Sequence, residues 1–342
     1  MVDMSHIIER NRKARSIFGA DHAEAVKIFE HCVKYDLAQT AELVKMSRAI
    51  QADPEAADIQ EKIAAFNAFR KEIKPSAHPA EPIYLWPEGK IPCCSDYTDN
   101  SEHLFNHDPD YVPFMYEVLL PEDAAPKGAI ILCPGGDHGE STVNTYQVAL
   151  DLNALGYQCF LLLNRTNRQP WKAQDAGADS ARAVRYVRKH AAKYRIAENH
   201  IAFAGFSNGG LTGEALIEYH SGTHKMTDIY PDYVPDELDA VSADLNAFLC
   251  IYGPRFNGDP FNYEGVVYPP TFYAVGREDG AMDNLHWVYP DLVKHGIPVE
   301  VHTFAGTPHG KAGAKLYDGE VRYPNFELWL PLADCFLMDL FK

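Results

Sequence analysis

The chain has 342 residues, of which 46% are apolar and 23% are charged, values that are ordinary for globular proteins. This composition excludes a disordered, collagen-like or low-complexity protein, and we expect no transmembrane helix because no apolar run is long enough. The net charge of −17 repels phosphate backbones and anionic lipid, so neither nucleic acid nor a membrane is an expected partner. Charges throughout residues 1–18 argue against a secretory signal, and the seven cysteines favour reduced thiols in a cytoplasmic protein.

Residues 1–82 are predicted to form an N-terminal helical extension. Apolar residues recur there at spacings of three, four and seven, which places them on one side of each helix. Asp53 is predicted to cap the third helix, with Pro54 at its first position. The extension either packs on the main domain, which is the simpler interpretation, or acts as a lid or as the arm of a homodimer. The residues that carry the helical pattern are Val26, Phe29, Val33, Leu43, Met46, Ile50, Ile59, Ile63, Phe66 and Ile73.

Residues 83–342 are predicted to form one catalytic domain of the α/β class. After a loop over 74–109 that is rich in Pro, His and Asp, apolar runs alternate with helical segments. This alternation predicts a mostly parallel central sheet flanked by helices on both faces. The predicted strands are 111–120, 129–133, 157–163, 200–205, 247–252, 271–275 and 299–304, and the main predicted helices between them are 143–155, 179–194 and 211–219.

The most informative motif is G-F-S-N-G-G at 205–210. It follows a predicted strand and begins a predicted helix, the context that a G-x-S-x-G nucleophile elbow requires. The sharp turn exposes the serine oxygen and tolerates only small neighbours, here Gly205 and Gly209. The helix N-terminus behind the turn favours developing negative charge. We therefore predict that Ser207 is a nucleophile.

A serine nucleophile needs a general base, and His309 is the predicted one. It lies in a turn just after the last predicted strand, and the carboxyl ends of parallel strands are where such sheets gather their catalytic groups. Position excludes the obvious rivals. His302 lies inside a strand pattern, whereas His286 and His295 belong to a predicted helix and are expected at the surface.

Asp279 is the predicted acid of the triad, because it lies where a strand gives way to a turn. Its carboxylate would hold the imidazole tautomer of His309 and stabilise the imidazolium without taking the proton. Glu278 and Asp283 are close competitors for this role.

The segment L-C-P-G-G-D-H-G at 132–139 predicts an oxyanion hole. Alone, Pro-Gly-Gly would indicate a plain turn. Before a nucleophile elbow, its glycines let backbone N–H groups approach a ligand. The predicted donors are the N–H of Gly136 or Asp137 together with the N–H of Asn208.

In these motifs the sequence resembles the α/β-hydrolase superfamily and, more closely, the bacterial esterases described as acetyl-xylan-esterase-like or xylanase-B-like esterase/lipase. The resemblance covers roughly residues 83–342, and it implies the same triad of Ser207, Asp279 and His309. It also implies removal of acetyl or other short acyl groups from carbohydrate. The matching stretches are 85–89, 130–136, 179–185, 205–210, 240–243 and 276–310.

The sequence departs from this family at Asp137 and His138, where relatives commonly have Gly and an aromatic residue. We expect the Asp137 side chain to turn away from Ser207 and to be held by a hydrogen-bond donor, because like charge would oppose the oxyanion. His138 is expected either to contact the alcohol part of the substrate or to pack under the N-terminal helices. Trp171 either lines the substrate pocket or packs, and Asp179 is predicted to cap its helix.

The sequence thus predicts a serine carboxylic-ester hydrolase acting on a small-molecule or oligosaccharide ester without metal or cofactor. Two alternatives stay open. The Gly209-Gly210 pair also suits serine peptidases and amidases of the same superfamily, and some α/β-hydrolase homologues bind ligands without catalysis.

Overall fold

The computed structural model describes residues 16–18, 20–94, 111–136, 138–166, 171–312 and 323–342. In these residues an eight-stranded sheet has the strand order β1-β2-β4-β3-β5-β6-β7-β8. The strands are β1 (Ile83–Tyr84), β2 (Phe114–Val118), β3 (Gly128–Cys133), β4 (Tyr157–Leu163), β5 (Ile201–Phe206), β6 (Ala247–Ile251), β7 (Thr271–Gly276) and β8 (Val299–Phe304). The helices are α1 (Ala20–Glu30), α2 (Leu37–Ala52), α3 (Ile59–Lys71), α4 (Glu140–Ala154), α5 (Ala173–Lys189), α6 (Ala191–Tyr194), α7 (Asn208–His220), α8 (Met226–Ile229), α9 (Ala281–Lys294), α10 (Pro324–Glu327) and α11 (Trp329–Leu340), with a 3₁₀ turn at Cys32–Lys34.

The sheet is mostly parallel, as predicted. β1 pairs antiparallel with β2, and β2 pairs antiparallel with β4, whereas every pairing from β4 through β3 to β8 is parallel. The residues of β3 to β7 are all buried, because helices cover both faces, and such strands read as continuous apolar runs. The predicted mostly parallel sheet with flanking helices and an N-terminal helical extension is confirmed.

The helices divide the main core into two layers, one on each face of the sheet. Helices α5, α7 and α9 bury their apolar sides on one face, and α4 and α11 bury theirs on the other. Among the described residues, no helix is both long enough and apolar enough to cross a membrane.

The N-terminal helices pack against the part of the sheet formed by β2 and β4. Phe29 and Phe66 are buried in one apolar cluster with Tyr116 of β2, Leu161 of β4 and Val143 of α4. The described helices of the extension therefore share a core with the sheet. Whether 1–82 and 83–342 act as separate domains stays a prediction.

The predicted cap of the third helix is wrong. α3 begins at Ile59 with Asp58 at the preceding position, and Asp53 instead ends α2. Between them the chain makes turns, with the Ala56 N–H donating to the Asp53 carbonyl at 3.3 Å. Asp and Pro favour turns as much as helix starts, and here the turn prevails.

The predicted loop over 74–109 contains a strand that the sequence analysis missed. β1 has two residues and extends the sheet at its edge by pairing with Phe114 and Met115. A strand this short carries no readable alternation of apolar and polar residues. Residues 95–109 of the loop lie outside the described residues.

Candidate active site

Ser207 occupies a sharp turn between β5 and α7. Its φ angle is 52°, a left-handed conformation that a non-glycine residue rarely adopts, and it immediately precedes the first residue of α7. The Ser207 N–H donates to the Ile251 carbonyl of β6 at 2.9 Å, and its own carbonyl accepts from Gly210 N–H at 2.8 Å. Backbone bonds on both sides thus hold the strained turn that the motif predicted.

Two glycines make this turn sterically feasible. A Cβ atom on Gly205 would overlap the Gly209 carbonyl, and one on Gly209 would overlap the Cys133 carbonyl at the end of β3. Both neighbours are backbone atoms, which cannot move aside as a flexible side chain could. The glycines of the motif therefore let β5, α7 and the end of β3 come together at Ser207.

The structure brings the three predicted triad residues into one hydrogen-bonded chain. His309 Nε2 lies 2.7 Å from Ser207 Oγ, and His309 Nδ1 lies 2.8 Å from Asp279 Oδ2. These distances suit proton transfer from the serine to the imidazole. The bond to the carboxylate assigns the proton to Nδ1 and leaves Nε2 as the acceptor that Ser207 needs.

Asp279 is held in place by its own turn. It is buried after β7, and its Oδ1 accepts from the Ala281 N–H at 2.8 Å. The competing acids Glu278 and Asp283 are exposed. Asp279 is thus the acid that contacts His309.

The other histidines lie elsewhere, as the sequence suggested. His302 Nε2 contacts Glu300 on β8 at 2.6 Å, and His286 and His295 are exposed on or just after α9.

One aromatic contact of His309 was not predicted from the sequence. The ring of Tyr252, with φ at 42°, packs edge-on against the His309 ring at 5.0 Å between centroids. Its position just after β6, at the same sheet edge, was the only available signal.

The predicted oxyanion loop lies beside Ser207. A Cβ on Gly135 would come within 3.0 Å of Ser207 Cβ, so the loop passes directly against the nucleophile. The Asn208 side chain, from Nδ2, donates to the Gly136 carbonyl at 2.9 Å and ties the loop to α7. As the first residue of α7, Asn208 has a backbone N–H with no acceptor in the helix. Asp137, with the expectation for its side chain, lies outside the described residues.

His138 is buried, which favours a structural role over contact with substrate. The side chain is 5% exposed, and its Nε2 lies 2.7 Å from the Asn164 carbonyl just after β4. A carbonyl accepts only, so Nε2 carries the proton. The His138 backbone has a φ angle of 64° and lies in the turn between Gly136 and Gly139. The bond to Asn164 therefore fixes the oxyanion loop against the end of β4.

Burial lowers the pKa of His138 from 6.5 to about 4. The unfolded chain consequently binds one more proton than the folded chain between these pH values, so stability must fall as the pH falls through this window. We expect the stability lost through His138 between neutral pH and pH 4 to reach about 3 kcal/mol. Urea unfolding of His138→Asn at pH 7, 5.5 and 4.5 should show a shallower loss of stability than the wild type. His286→Asn, at an exposed position, serves as the control. A pH dependence unchanged by His138→Asn would contradict the expectation.

The predicted helix cap at Asp179 is wrong, because α5 begins earlier, at Ala173. The Asp175 side chain makes the cap contact, accepting from the Lys172 N–H at 3.4 Å. Asp179 is instead fully buried in the helix and pairs with Arg165, whose Nε and Nη2 lie 2.9 and 2.8 Å from its two oxygens. The Trp86 indole N–H adds a third side-chain bond at 2.7 Å.

This ion pair lies next to the segment that contacts the predicted oxyanion loop. Arg165 directly follows Asn164, which holds His138, and its backbone N–H also donates to Asp179 at 2.8 Å. Trp171 is buried, with the Arg165 guanidinium 5.7 Å from its ring centroid. For Trp171, this burial favours packing over a role in lining the substrate pocket.

Asp179→Asn is expected to destabilise the protein by about 3 kcal/mol, because it leaves the buried Arg165 guanidinium with only the Asp175 carboxylate, 3.7 Å away, as a counter-charge. The free energy of unfolding, measured by urea denaturation, checks this. Asp339→Asn, which alters an exposed ion pair with Lys342, should change it by less than about 1 kcal/mol. Equal effects of the two substitutions would contradict the structural role assigned to Arg165 and Asp179.

Comparisons with known proteins agree with this architecture. The BD-FAE family model matches residues 120–255, a part that includes Ser207 but neither Asp279 nor His309. Among solved structures, the acetyl ester-xyloside bifunctional hydrolase from Caldicellulosiruptor lactoaceticus is 24% identical with a TM-score of 0.56, over 76% of this chain and 96% of that one. Thermogutta terrifontis esterase 2 phosphorylated by paraoxon is 20% identical with a TM-score of 0.56, over 78% and 96%. Its apo form is 18% identical with a TM-score of 0.57, over the same shares.

No curated protein matches the chain. The structural likeness to these solved structures shows the α/β-hydrolase fold, and together with the family model it agrees with the resemblance to α/β-hydrolase-like esterases inferred from the motifs. Within the described part of the chain, no group of three or more His, Cys, Asp or Glu side chains is arranged to hold a metal ion.

Proposed function

We propose that this protein is a serine carboxylic-ester hydrolase that removes acetyl or other short acyl groups from carbohydrate substrates. The observation that carries the proposal is the continuous hydrogen-bonded chain from Ser207 through His309 to Asp279 at the N-terminus of α7. This arrangement suits acyl transfer, because it combines a serine in a strained turn, a base 2.7 Å from the serine oxygen and a buried acid bonded to that base.

In the proposed reaction, Ser207 Oγ attacks the ester carbonyl while His309 Nε2 takes its proton. The N–H groups of Asn208 and of the loop at Gly136 stabilise the oxyanion of the tetrahedral intermediate. His309 then returns the proton to the leaving alcohol, and an acyl group stays on Ser207. Water, activated by the same imidazole, releases the acyl group as a carboxylic acid.

The carbohydrate part of the proposal rests on similarity to known esterases. It comes from the sequence resemblance to acetyl-xylan-esterase-like enzymes and from one structural neighbour, the acetyl ester-xyloside bifunctional hydrolase, at 24% identity. A cytoplasmic location and a homodimer also remain predictions. In the cytoplasm the substrates would be small esters or oligosaccharides, since polymers cannot enter.

Turnover of a panel of esters tests the proposal. The purified protein should hydrolyse p-nitrophenyl acetate faster than p-nitrophenyl esters of long acyl chains, and it should release acetate from acetylated xylo-oligosaccharides. An acyl p-nitroanilide tests the peptidase or amidase alternative, and its faster turnover would favour that class. Folded protein that hydrolyses no ester would overturn the proposal. Failure to react with a fluorophosphonate probe as well would indicate a ligand-binding protein without an activated serine.

A further inference from the structure

The N-terminal extension contacts the chain immediately after the predicted oxyanion loop. Glu140, the first residue of α4, accepts two hydrogen bonds from α2, one on each carboxylate oxygen. Arg48 Nε lies 3.2 Å from its Oε2, and Gln51 Nε2 lies 2.9 Å from its Oε1. Residues about 90 positions apart in the sequence therefore meet at the start of the helix that follows the loop.

This contact has a defined geometry on the α2 side. Gln51 Nε2 also donates to Ser47 Oγ at 2.9 Å, which orients the amide toward Glu140. Ser47 is fully buried, and Ile50 of α2 lies in the same apolar cluster as Val143, one turn along α4 from Glu140. The polar contact thus borders a packed interface that holds α2 against α4.

The first turn of α4 in turn holds the oxyanion loop. Ser141, the next residue after Glu140, shares its one hydroxyl proton between two carbonyls of the loop, that of His138, at 2.6 Å from its Oγ, and that of Gly135. The Gly135 carbonyl and the Gly136 N–H belong to one planar peptide group. Fixing that carbonyl therefore fixes the direction of the N–H that is predicted to stabilise the oxyanion. The positive φ angles of Gly136 and Gly139 show that the loop relies on glycine conformations, which external bonds must hold.

Arg48 also offsets the negative charge of Glu140. A carboxylate one position beyond the loop opposes a developing oxyanion unless a positive group offsets it. The Glu140 side chain is only 20% exposed, so solvent screens it incompletely. The guanidinium of Arg48 supplies the offsetting charge.

We propose that Arg48, Gln51 and Glu140 are positioning residues through which the N-terminal helices set the geometry and potential of the oxyanion hole. The inference rests on the proposed hydrolase function. Under this inference, the extension orients the predicted oxyanion loop in addition to packing on the sheet.

Steady-state kinetics of Arg48→Met, Glu140→Gln and the double variant test the inference with p-nitrophenyl acetate. We expect Arg48→Met to lower kcat about tenfold with KM within about twofold, less than the loss of a whole oxyanion donor. Adding Glu140→Gln to Arg48→Met should restore part of kcat, because it removes the uncompensated charge. Lys45→Met is the matched control, since Lys45 lies on the same helix in an exposed pair with Glu42 and should keep wild-type kinetics.

A second measurement does not depend on turnover. Amide hydrogen exchange in the peptide spanning 135–142 should be faster in Arg48→Met than in the wild type and unchanged in Lys45→Met. All variants are compared well below their unfolding temperatures. Equal exchange in Arg48→Met and Lys45→Met, or equal kcat for these two variants, would overturn the inference. If the wild type hydrolyses no ester, the proposed function fails by itself, and the exchange measurement still decides whether α2 positions the loop.

Discussion

Ser207→Ala is expected to lower kcat for p-nitrophenyl acetate by at least about ten-thousand-fold. The substitution removes the only atom that can form the acyl-enzyme, whereas the oxyanion donors and the binding surface persist. Folding should be preserved, because the Ser207 side chain makes no capping bond to α7 and its Oγ contacts the partly exposed His309. The KM of the residual activity should change little, since ground-state binding does not depend on the serine oxygen.

Labelling with a fluorophosphonate probe gives the parallel measurement for Ser207. The wild type should be labelled at this residue, and the alanine variant should not react. Ser76→Ala, in the segment between α3 and β1, is the control and should keep wild-type turnover and labelling. Retention of more than about a tenth of wild-type kcat by Ser207→Ala would identify a different nucleophile and reject the assigned mechanism.

The central strands were predictable from the sequence because their environment is uniform. β3 to β7 are buried on both faces, so nearly every residue in them must be apolar, and the run ends where burial ends. β4 coincides with the predicted segment 157–163, and the edge strand β8, although only partly buried, coincides with 299–304. The ends of these strands then located Ser207, Asp279 and His309 at one edge of the sheet.

The two predicted helix caps were wrong because the same residue type also occurs in another structural role. Asp53-Pro54 has the chemistry of a helix start and also that of a turn, and nothing in the neighbouring residues decides between them. Asp179 is similar, since a cap and a buried ion-pair partner are both short carboxylates. Only the position of Arg165, just after β4 and against α5, distinguishes the two roles.

The contacts that connect the extension to the site were beyond sequence reasoning for a different reason. In the sequence, Arg48 and Glu140 are ordinary polar residues of their own helices, and no periodicity relates them. Their meeting depends on how α2 lies across α4, which is set by the apolar cluster of the N-terminal helices. The pattern predicted that the helices pack, but it contained no information on where their polar residues meet the sheet edge.

Asp279→Asn is expected to lower kcat by about four orders of magnitude with little change in KM. In the native site, both carboxylate oxygens accept: Oδ1 from the Ala281 N–H at 2.8 Å and Oδ2 from His309 Nδ1 at 2.8 Å. Asparagine has only one acceptor oxygen. The Ala281 N–H is fixed in the backbone, so the amide oxygen must face it and the amide NH₂ must face His309.

That orientation reverses the tautomer of His309. Its Nδ1 would accept from the amide of the introduced asparagine, so Nε2 would carry the proton and could not take one from Ser207 Oγ. The imidazolium would also lose its stabilising charge. Glu278→Gln and Asp283→Asn are the matched controls, because both remove a nearby exposed carboxylate, and each should retain kcat within about twofold. If either control lost as much activity as Asp279→Asn, the acid would have to be reassigned. A tenfold or smaller loss in Asp279→Asn would mean that the tautomer of His309 is set by another group.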